Sequence, residues 1–349
     1  MKLNRNGALI AGLAAIAAFV VGPTVASAEV KYDGKTIKIV IPYGPGGTYD
    51  KYGQTCAKHL RRHIPGDPTI IVQHMPGAGG GKAMNWAYNV MPANGYNTIV
   101  PLDNGVVTQL MRPVKARWDM RKFTWLGSSN QTNTVVVVRS DSGVKNWDDL
   151  TKKRIIAGAT GKNSTGYIMQ NLLKSIFKLN VKMVSGYKGS SKTIFAVERG
   201  EVQMYAANWL AWSSKGPHWF EGDKVFANPI IQMGVFRDPD LKSDVPMLSD
   251  LVTDPMNKKA VDFIKVLGLL GRGLTMPPGT PKDAIKTLRA AYAKMNADPV
   301  FEKELRKRRL RLIPSSGATI QKLVKDAIDN ATPAVVKHAR NLIFGDPKK

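Results

Sequence analysis

The amino-acid sequence predicts an α/β protein built from two lobes, on three observations. Short apolar runs alternate with amphipathic helical stretches from about residue 37 to residue 236, which favours mostly parallel sheets. Two of the early runs end in glycine-rich loops that lead into helices. After about residue 283 the pattern is helical only, so this tail must pack on a sheet formed earlier in the chain.

The expected elements follow from the spacing of apolar residues and from helix-start residues. Strands are expected at residues 37–41, 69–72, 98–102, 134–139, 155–157, 181–184, 202–206 and 230–236, and helices at residues 51–63, 82–91, 166–177, 192–199, 283–296, 299–308 and 319–330. The run at 134–139 starts a new α/β unit. The sequence therefore predicts a discontinuous first lobe, residues 29–132 plus 245–349, and a second lobe at residues 133–244.

The first 28 residues have the organisation of an export signal. Lys2 and Arg5 give a positive start, residues 7–22 are apolar, and residues 26–28 read ASA, the small-residue pattern of a cleavage site. We expect cleavage after Ala28 and an exported mature protein; an uncleaved anchor is the alternative. No later segment has the length and apolar character of a membrane span.

The charge balance is strongly basic, with 51 Lys and Arg residues against 26 Asp and Glu residues. Basic chains favour anionic partners, but export and the lack of a nucleic-acid-binding motif argue against nucleic acid. The one cysteine, Cys56, cannot form an internal disulfide and is predicted to be a buried apolar residue of a helix. The basic run at residues 303–311 is either a solvated helix end or a docking patch for an acidic partner or lipid.

The two glycine-rich loops indicate an anion-binding site. One reads PYGPGG at residues 42–47, with Thr48 and Asp50 after it, and the other reads MPGAGGG at residues 75–81. Glycine lets the backbone approach a ligand closely, and helix N-termini offer free N–H groups to an anion. Asp50 is predicted to start its helix rather than to contact a ligand.

The loops belong to a longer series of motifs. The series comprises Pro42, Tyr43, Pro45, Gly46, Gly47 and Asp50 in a P-[FY]-x-P-G-G-x-x-D pattern, residues 76–80 as P-G-A-G-G, Pro92, Gly95 and Tyr96, Gly158, Thr160, Gly161 and Ser164 in a further turn, residues 187–189 as Y-K-G, and residues 277–281 as P-P-G-T-P. In this order and spacing, the chain resembles the solute-binding receptors of tripartite tricarboxylate transporters, also called Bug receptors. The resemblance covers essentially the whole mature chain.

The resemblance implies a type II periplasmic binding protein, with two α/β lobes, a ligand cleft, a hinge and a helical C-terminal segment packed on the first lobe. It implies a monomeric periplasmic receptor that needs no cofactor and binds a small organic acid, such as a di- or tricarboxylate. The closed receptor would deliver the acid to membrane permease subunits of a tripartite tricarboxylate-type transporter. Presentation of the solute to the ectodomain of a sensor kinase is the alternative.

The resemblance and the loop chemistry together predict the ligand-binding residues. They are Tyr43, Gly46, Gly47, Thr48, Gly77, Ala78, Gly79, Gly80, Thr160, Gly161, Lys162, Asn163, Ser164, Tyr187, Asn208 and Trp209. Backbone amides and hydroxyl groups would supply most contacts, Tyr187 could donate its phenol, and Lys162 is either an anion contact or a solvated side chain.

This chain departs from the family pattern at several positions. His74 and Met75 stand for the usual Asn and Arg, Asn163 for a Gly and Tyr167 for a His, and Asn208 stands where an Asp is usual. The loss of an acid and the gain of Lys162 favour a more purely anionic ligand. Either Trp209 or Trp212 packs an apolar part of the ligand, or both tryptophans cover the core of the second lobe.

An exported carboxylate-processing enzyme is the less favoured alternative. The loop at residues 77–82 fails the spacing of a nucleotide-binding loop, with Ala83 where Ser or Thr is needed. No Ser–His–Asp, Cys–His or paired-carboxylate arrangement stands out, so no catalytic residue is assigned. His59 and His63 lack a third ligand, so they are predicted to be surface residues and no metal site is assigned.

Overall fold

The computed structural model describes residues 30–214, 217–265, 268 and 270–345. The predicted export signal at residues 1–28 and its cleavage point lie outside these described residues. Among the residues described, no helix combines the length and the apolar character that crossing a bilayer requires.

The described residues form two sheets with helices packed around them. In chain order the strands are β1 (Thr36–Ile41), β2 (Thr69–His74), β3 (Asn97–Ile99), β4 (Thr124–Ser128), β5 (Thr134–Arg139), β6 (Ile155–Ala159), β7 (Val181–Ser185), β8 (Met204–Asn208), β9 (Ala227–Met233), β10 (Gly273–Met276) and β11 (Ser315–Ser316). The α-helices are α1 (Thr48–Leu60), α2 (Gly81–Asn89), α3 (Gly105–Met111), α4 (Trp147–Lys152), α5 (Thr165–Phe177), α6 (Ser190–Glu198), α7 (Trp209–Ser213), α8 (Leu248–Leu251), α9 (Pro255–Lys265), α10 (Lys282–Asn296), α11 (Pro299–Lys307), α12 (Gly317–Asp329) and α13 (Pro333–Phe344).

The two sheets belong to two α/β lobes, as predicted. The first sheet has the strand order β11-β4-β10-β3-β1-β2, and the second has the order β7-β6-β8-β5-β9. The chain passes from the first sheet to the second between β4 and β5 and returns between β9 and β10. Chain segments that join two lobes in this way can serve as a hinge.

Both sheets mix strand directions, so the expectation of mostly parallel sheets is wrong. In the first sheet β1 pairs in parallel with β2 and β3, whereas β10 is antiparallel to β3 and β4. In the second, β6 pairs in parallel with β7 and β8, whereas β5 is antiparallel to β8 and β9. Strands β5 and β10 each enter a sheet after the chain has crossed between the lobes. Their direction depends on the path of that crossing, which local periodicity does not encode.

Apolar residues of the second sheet face two cores. Val136 and Val138 of β5 belong to one cluster, while Val135 and Val137 belong to the other. Successive side chains of a strand point to opposite faces, so a strand covered on both faces reads as a continuous apolar run. This explains the sequence TVVVVR at Thr134–Arg139.

The C-terminal helices divide between the two lobes. Helices α10 and α12 pack against β4 in the first lobe, but α13 packs against α5 and α9. Ala339 and Ile343 of α13 lie in a core of the second sheet, together with Leu248 of α8 and Ala260 of α9. The expected packing of the whole 245–349 segment on the first lobe is therefore wrong for these three helices. An amphipathic helix shows which face it buries, but not which sheet will cover that face.

Most of the predicted elements coincide with observed ones, but some strands are shifted or were missed, and six of the described helices were not predicted: α3, α4, α7, α8, α9 and α13. The strands expected at 202–206 and 230–236 are shifted to β8 and β9, by two or three residues. The short strands β4, β10 and β11 were not expected. Their pairing comes from partners that are far away in sequence, so local patterns give little indication of it.

Candidate functional site

A small, partly open cavity of about 40 Å³ lies between the two lobes. One water molecule needs roughly 10–15 Å³ of such space. The cavity between the two closed lobes therefore has room for a few water molecules. The residues that line it are Tyr43, Gly47, Thr48, Tyr49, Asp103, Thr160, Ser164, Thr165, Gly166, Ser190, Tyr205, Ala206, Ala207, Asn208, Ala211 and Arg272. They come from both sheets and from loops that follow strand ends.

The N-termini of three helices point into this cavity. Helix α1 begins at Thr48, α5 at Thr165 and α6 at Ser190, and each of these residues lines the cavity. The first N–H groups of a helix have no acceptor within it, and the aligned peptide dipoles place about half a positive charge at that end. The cavity is therefore electropositive even before any side chain is considered.

The first glycine-rich loop is held in place by a carboxylate. Gly46 has φ +86° and donates its N–H to Asp50 Oδ2 over 2.7 Å. The other Asp50 oxygen lies 2.7 Å from His74 Nε2. His74, one of the departures from the family pattern, thus supports the loop through Asp50. Asp50 does not line the cavity. The N-cap residue of α1 is Gly47. Asp50 therefore does not cap the helix, and its role is to hold the loop that leads into α1.

The second glycine-rich loop forms the closest contact between the lobes. A Cβ atom added to Gly79 would lie 2.9 Å from the Ser164 nitrogen, and one added to Gly161 would lie 2.8 Å from the Gly79 nitrogen. Within the first lobe, Tyr43 holds this loop by donating its hydroxyl to the Gly79 carbonyl over 2.9 Å. Glycines are needed here because two backbones touch, not because a ligand does. Hydrogen bonds also join the lobes, such as Gly44 N–H to the Lys188 carbonyl at 2.8 Å.

Sequence reasoning missed two charged residues of the cavity, Arg272 and Asp103. Arg272 is 3% exposed and Asp103 is 7% exposed. Arg272 Nη1 donates to Asp103 Oδ2 over 3.0 Å, and its guanidinium stacks 3.9 Å from the centre of the Tyr49 ring. The other Asp103 oxygen accepts a 2.7 Å hydrogen bond from Thr165 Oγ1 of the second lobe. Arg272, Asp103 and Thr165 therefore form a chain that spans the cleft.

The surroundings keep Arg272 charged. Burial by itself lowers the pKa of Arg272, but the neighbouring Tyr49 and Asp103 outweigh that effect and raise this pKa above its ordinary value. Burial raises the pKa of Tyr49 and of Tyr43 well above the usual tyrosine value, so both phenols stay neutral. The cavity therefore presents one guanidinium, neutral phenols and hydroxyl groups, with one carboxylate already engaged by its neighbours.

No protein-family model matches the sequence. A UPF0065 protein of Bordetella pertussis is 20% identical over 312 residues, which cover 87% of this chain and 90% of that protein. Among solved structures, periplasmic binding protein BugD superposes with a TM-score of 0.70 at 16% identity, over 88% of this chain and 97% of BugD.

Two further structures resemble this chain to the same degree. MatC from Rhodopseudomonas palustris with bound malate gives a TM-score of 0.67 at 19% identity, over 87% of this chain and 98% of MatC. A second R. palustris protein, solved with adipate, gives a TM-score of 0.67 at 20% identity, over 88% of this chain and 97% of that protein. The chain has the fold of the Bug-type periplasmic binding proteins. The fold that the resemblance of the sequence motifs implied is thereby confirmed.

Six of the predicted ligand-binding residues lie on the cavity of this periplasmic binding protein fold: Tyr43, Gly47, Thr48, Thr160, Ser164 and Asn208. Thr160 is notable because its hydroxyl is buried and has no hydrogen-bond partner among the described residues. A buried hydroxyl normally finds a partner. Thr160 is therefore a polar group that a ligand in the cavity could satisfy.

The remaining predicted residues lie elsewhere. Residues that support the loops or the contact between the lobes are Gly46, Gly77, Ala78, Gly79, Gly80 and Gly161. Lys162 and Asn163 line a different, basic surface groove. The predicted role of Lys162 as an anion contact in the cleft is therefore not supported, and Arg272 supplies the cation instead. Tyr187 packs beside Gly158 and against the core of the second lobe, away from the cavity.

The two tryptophans belong to the core of the second lobe. Trp209 and Trp212 are both buried in one apolar cluster with Val135 and Val137 of β5. Neither lines the cavity between the lobes. The structure therefore supports the alternative that both tryptophans cover the core of the second lobe, and it does not support a contact with a ligand in this cavity.

Three other sequence-based predictions can be compared with the structure. Cys56 is buried as predicted, and burial raises the pKa of its thiol to about 12. His59 was expected at the surface, but it is buried, with Nε2 2.8 Å from Glu304 Oε2 and its ring against Phe301. Within the part of the chain described, no group of three or more His, Cys, Asp or Glu residues could hold a metal ion.

Proposed function

We propose that this chain is a periplasmic solute-binding receptor that captures a small organic acid between its two lobes. The proposal rests on the convergence of Arg272 and the N-termini of α1, α5 and α6 on one cavity between the lobes. Such N-termini are ready-made sites for carboxylates and other anions. An arginine adds charge-assisted hydrogen bonds, which are stronger than neutral ones.

Each lobe supplies part of the proposed ligand shell. The first lobe contributes the amides at the start of α1 and the guanidinium of Arg272, and the second contributes the amides at the start of α5 and the hydroxyl of Thr160. A ligand held by groups of both lobes binds the closed arrangement better than an open one. Binding therefore shifts the population toward closure.

The neighbours of known structure support this ligand class. MatC was solved with malate and its R. palustris relative with adipate, and both ligands are small dicarboxylates. In the proposed function the acid is released unchanged, to the membrane permease subunits of a tripartite tricarboxylate-type transporter. The export signal at residues 1–28 would place the receptor in the periplasm, with a mature chain that begins at Glu29.

A thermal-shift screen of the purified mature chain against organic acids, amino acids and sugars tests the proposal. A ligand at 100 times its dissociation constant should raise the free energy of unfolding by about 2.7 kcal/mol. We expect one or more small carboxylates to raise the melting temperature and amino acids and sugars to leave it unchanged. Stabilisation by a sugar or a cationic solute alone, or conversion of a bound acid into a product, would contradict the proposal.

A further inference from the structure

A second surface feature lies beside the cavity, on the outer side of the contact between Gly79 and Asn163. We call it the basic groove; its charged lining residues are Lys82, Arg112, Lys115, Arg117 and Lys162. No acidic residue is among its described lining residues. A concave surface lined by charges of one sign focuses their field.

The cations of the groove are not neutralised by the described part of the protein. Several surface arginines elsewhere have carboxylate partners, as in Arg61–Asp67 and Arg306–Glu302. None of the five groove cations forms an ion pair with a described carboxylate. Burial lowers the pKa of Arg112, and although Tyr167 acts in the opposite direction, the nearby Arg340 lowers this pKa further. The groove therefore carries an excess of positive charge that a negative partner would relieve.

The loop that carries three of these residues is held in a fixed conformation. Asn85 of α2 donates its side-chain amide to the Lys115 carbonyl over 2.9 Å and accepts the Arg117 N–H over 2.8 Å. Asn89 donates to the Arg117 carbonyl over 2.8 Å. Between these anchored positions Val114 is 82% exposed. This loop therefore exposes an apolar side chain among cations in a conformation that hydrogen bonds hold in place. A surface that is already ordered before it meets a partner loses less conformational entropy on binding.

Both lobes contribute to the groove. Lys162 and Asn163 come from the second lobe, and the other members come from the first. Asn163 accepts hydrogen bonds from Arg112 and Asn104 of the first lobe. It lies so close to α2 that a Cβ on Gly81 would be 2.4 Å from Asn163 Nδ2. Separation of the lobes would break these contacts and remove Lys162, so the groove is complete only in the closed arrangement.

We infer that the basic groove is a docking surface for an acidic surface of a protein partner, and that this partner recognises the closed, loaded receptor through it. The concave shape of the groove favours a protein over a lipid surface, because a bilayer is flat and cannot fill a concave surface. The identity of the partner as a transporter subunit rests on the proposed function. The groove itself does not depend on which acid the cavity binds.

Charge reversal in the groove tests this inference. Lys115 and Arg117 have exposed side chains, and their structural hydrogen bonds come from the backbone, so K115E/R117E should leave the fold intact. K152E/K153E is the matched control. Its two exposed lysines precede β6 at the end of the strand opposite to the cleft. For each full-length variant, ligand affinity is measured by calorimetry and uptake of the same acid is measured in cells that lack the wild-type gene.

We expect K115E/R117E to lower the uptake rate at least about tenfold at unchanged ligand affinity, since charge complementarity governs encounter with a partner. The control variant K152E/K153E should have the uptake rate and the ligand affinity of the wild type. Equal uptake by the two variants would overturn the inference. A fall in ligand affinity that matches the fall in uptake would overturn it as well, because the groove would then serve the ligand. If anionic phosphatidylglycerol vesicles bind the wild type but not K115E/R117E, the inference of a protein partner would be overturned and the partner would be a membrane surface.

Discussion

The contact between Gly79 and the second lobe offers a direct test of whether the closed arrangement is the ligand-bound one. Gly79 has φ +64°, and a Cβ there would lie 2.9 Å from the Ser164 nitrogen and 3.1 Å from the Asn163 nitrogen. Both are backbone atoms, so no side-chain rotation can relieve the overlap. In Gly79→Ala the lobes must therefore move apart at this point.

The expected loss of affinity follows from the interactions that such a movement weakens. The left-handed backbone conformation costs a non-glycine residue about 1–2 kcal/mol, but this cost is present in open and closed states and cancels from the affinity. The closed state alone loses the two hydrogen bonds that Asn163 of the second lobe accepts from the first lobe, one from Asn104 and one from Arg112. At about 0.5–1.5 kcal/mol each, the loss is about 1–3 kcal/mol, or about 5- to 150-fold in the dissociation constant.

Gly34→Ala is the matched control for this experiment. Gly34 also has φ +64°, and nothing lies within 4 Å of a Cβ added there. Both variants should lose about 1–2 kcal/mol of unfolding free energy from backbone strain, but only Gly79→Ala should bind the organic acid more weakly in calorimetry. Equal dissociation constants for the two variants would refute the reasoning that ligand binding requires this contact.

Three further predictions concern the cavity, the core and the response to acid. Thr160→Val removes a buried hydroxyl that has no hydrogen-bond partner among the described residues. It should weaken ligand binding about fivefold, the equivalent of about 1 kcal/mol, and leave the melting temperature unchanged. A lower melting temperature would show that the hydroxyl is structural. Because Trp212 lies in the core, Trp212→Phe should lower the free energy of unfolding by about 0.5–3 kcal/mol and leave ligand affinity unchanged. A selective loss of ligand affinity in calorimetry would contradict the assignment of Trp212 to the core. Burial tends to raise the pKa of Glu304, but hydrogen bonds from Lys58, His59 and Arg308 lower it from 4.5 to about 2. The stabilisation from Glu304 is therefore fully present above about pH 4.5 and is lost as the pH falls toward 2. Urea unfolding between pH 2 and pH 5 should show a shallower pH dependence for Glu304→Gln than for the wild type, and identical slopes would refute the assignment.

Several local features could be predicted from the sequence. The starts of α1 and α5, the glycine-rich turns before them and the buried strand β5 depend on residues that are close together in the chain. Helix-start residues, positive-φ glycines and apolar periodicity report on such short-range structure. These same features carried the resemblance to the Bug receptors, and hence the two-lobe fold.

The composition of the site could be predicted only in part. Arg272 lies 169 residues from Asp103, and only the packing of β10 beside β3 brings the two together. Two indications were available in the sequence: Arg272 interrupts the apolar run 266–276, and Asp103 follows the apolar run 98–102. A charge in an apolar run indicates a buried and therefore paired group, but it does not name the partner.

The sequence by itself determined the class of fold and the two glycine-rich loops that lead into helices, because these depend on local conformational preferences. Only the tertiary structure decided which groups share the cavity. It assigned the glycines of the second loop to the contact between the lobes, moved Lys162 to the basic groove, placed Trp209 in the core and brought Arg272 to the cavity between the lobes. The physical reason is that these roles depend on how two lobes pack against each other. That arrangement is set by the sum of long-range contacts rather than by any one segment.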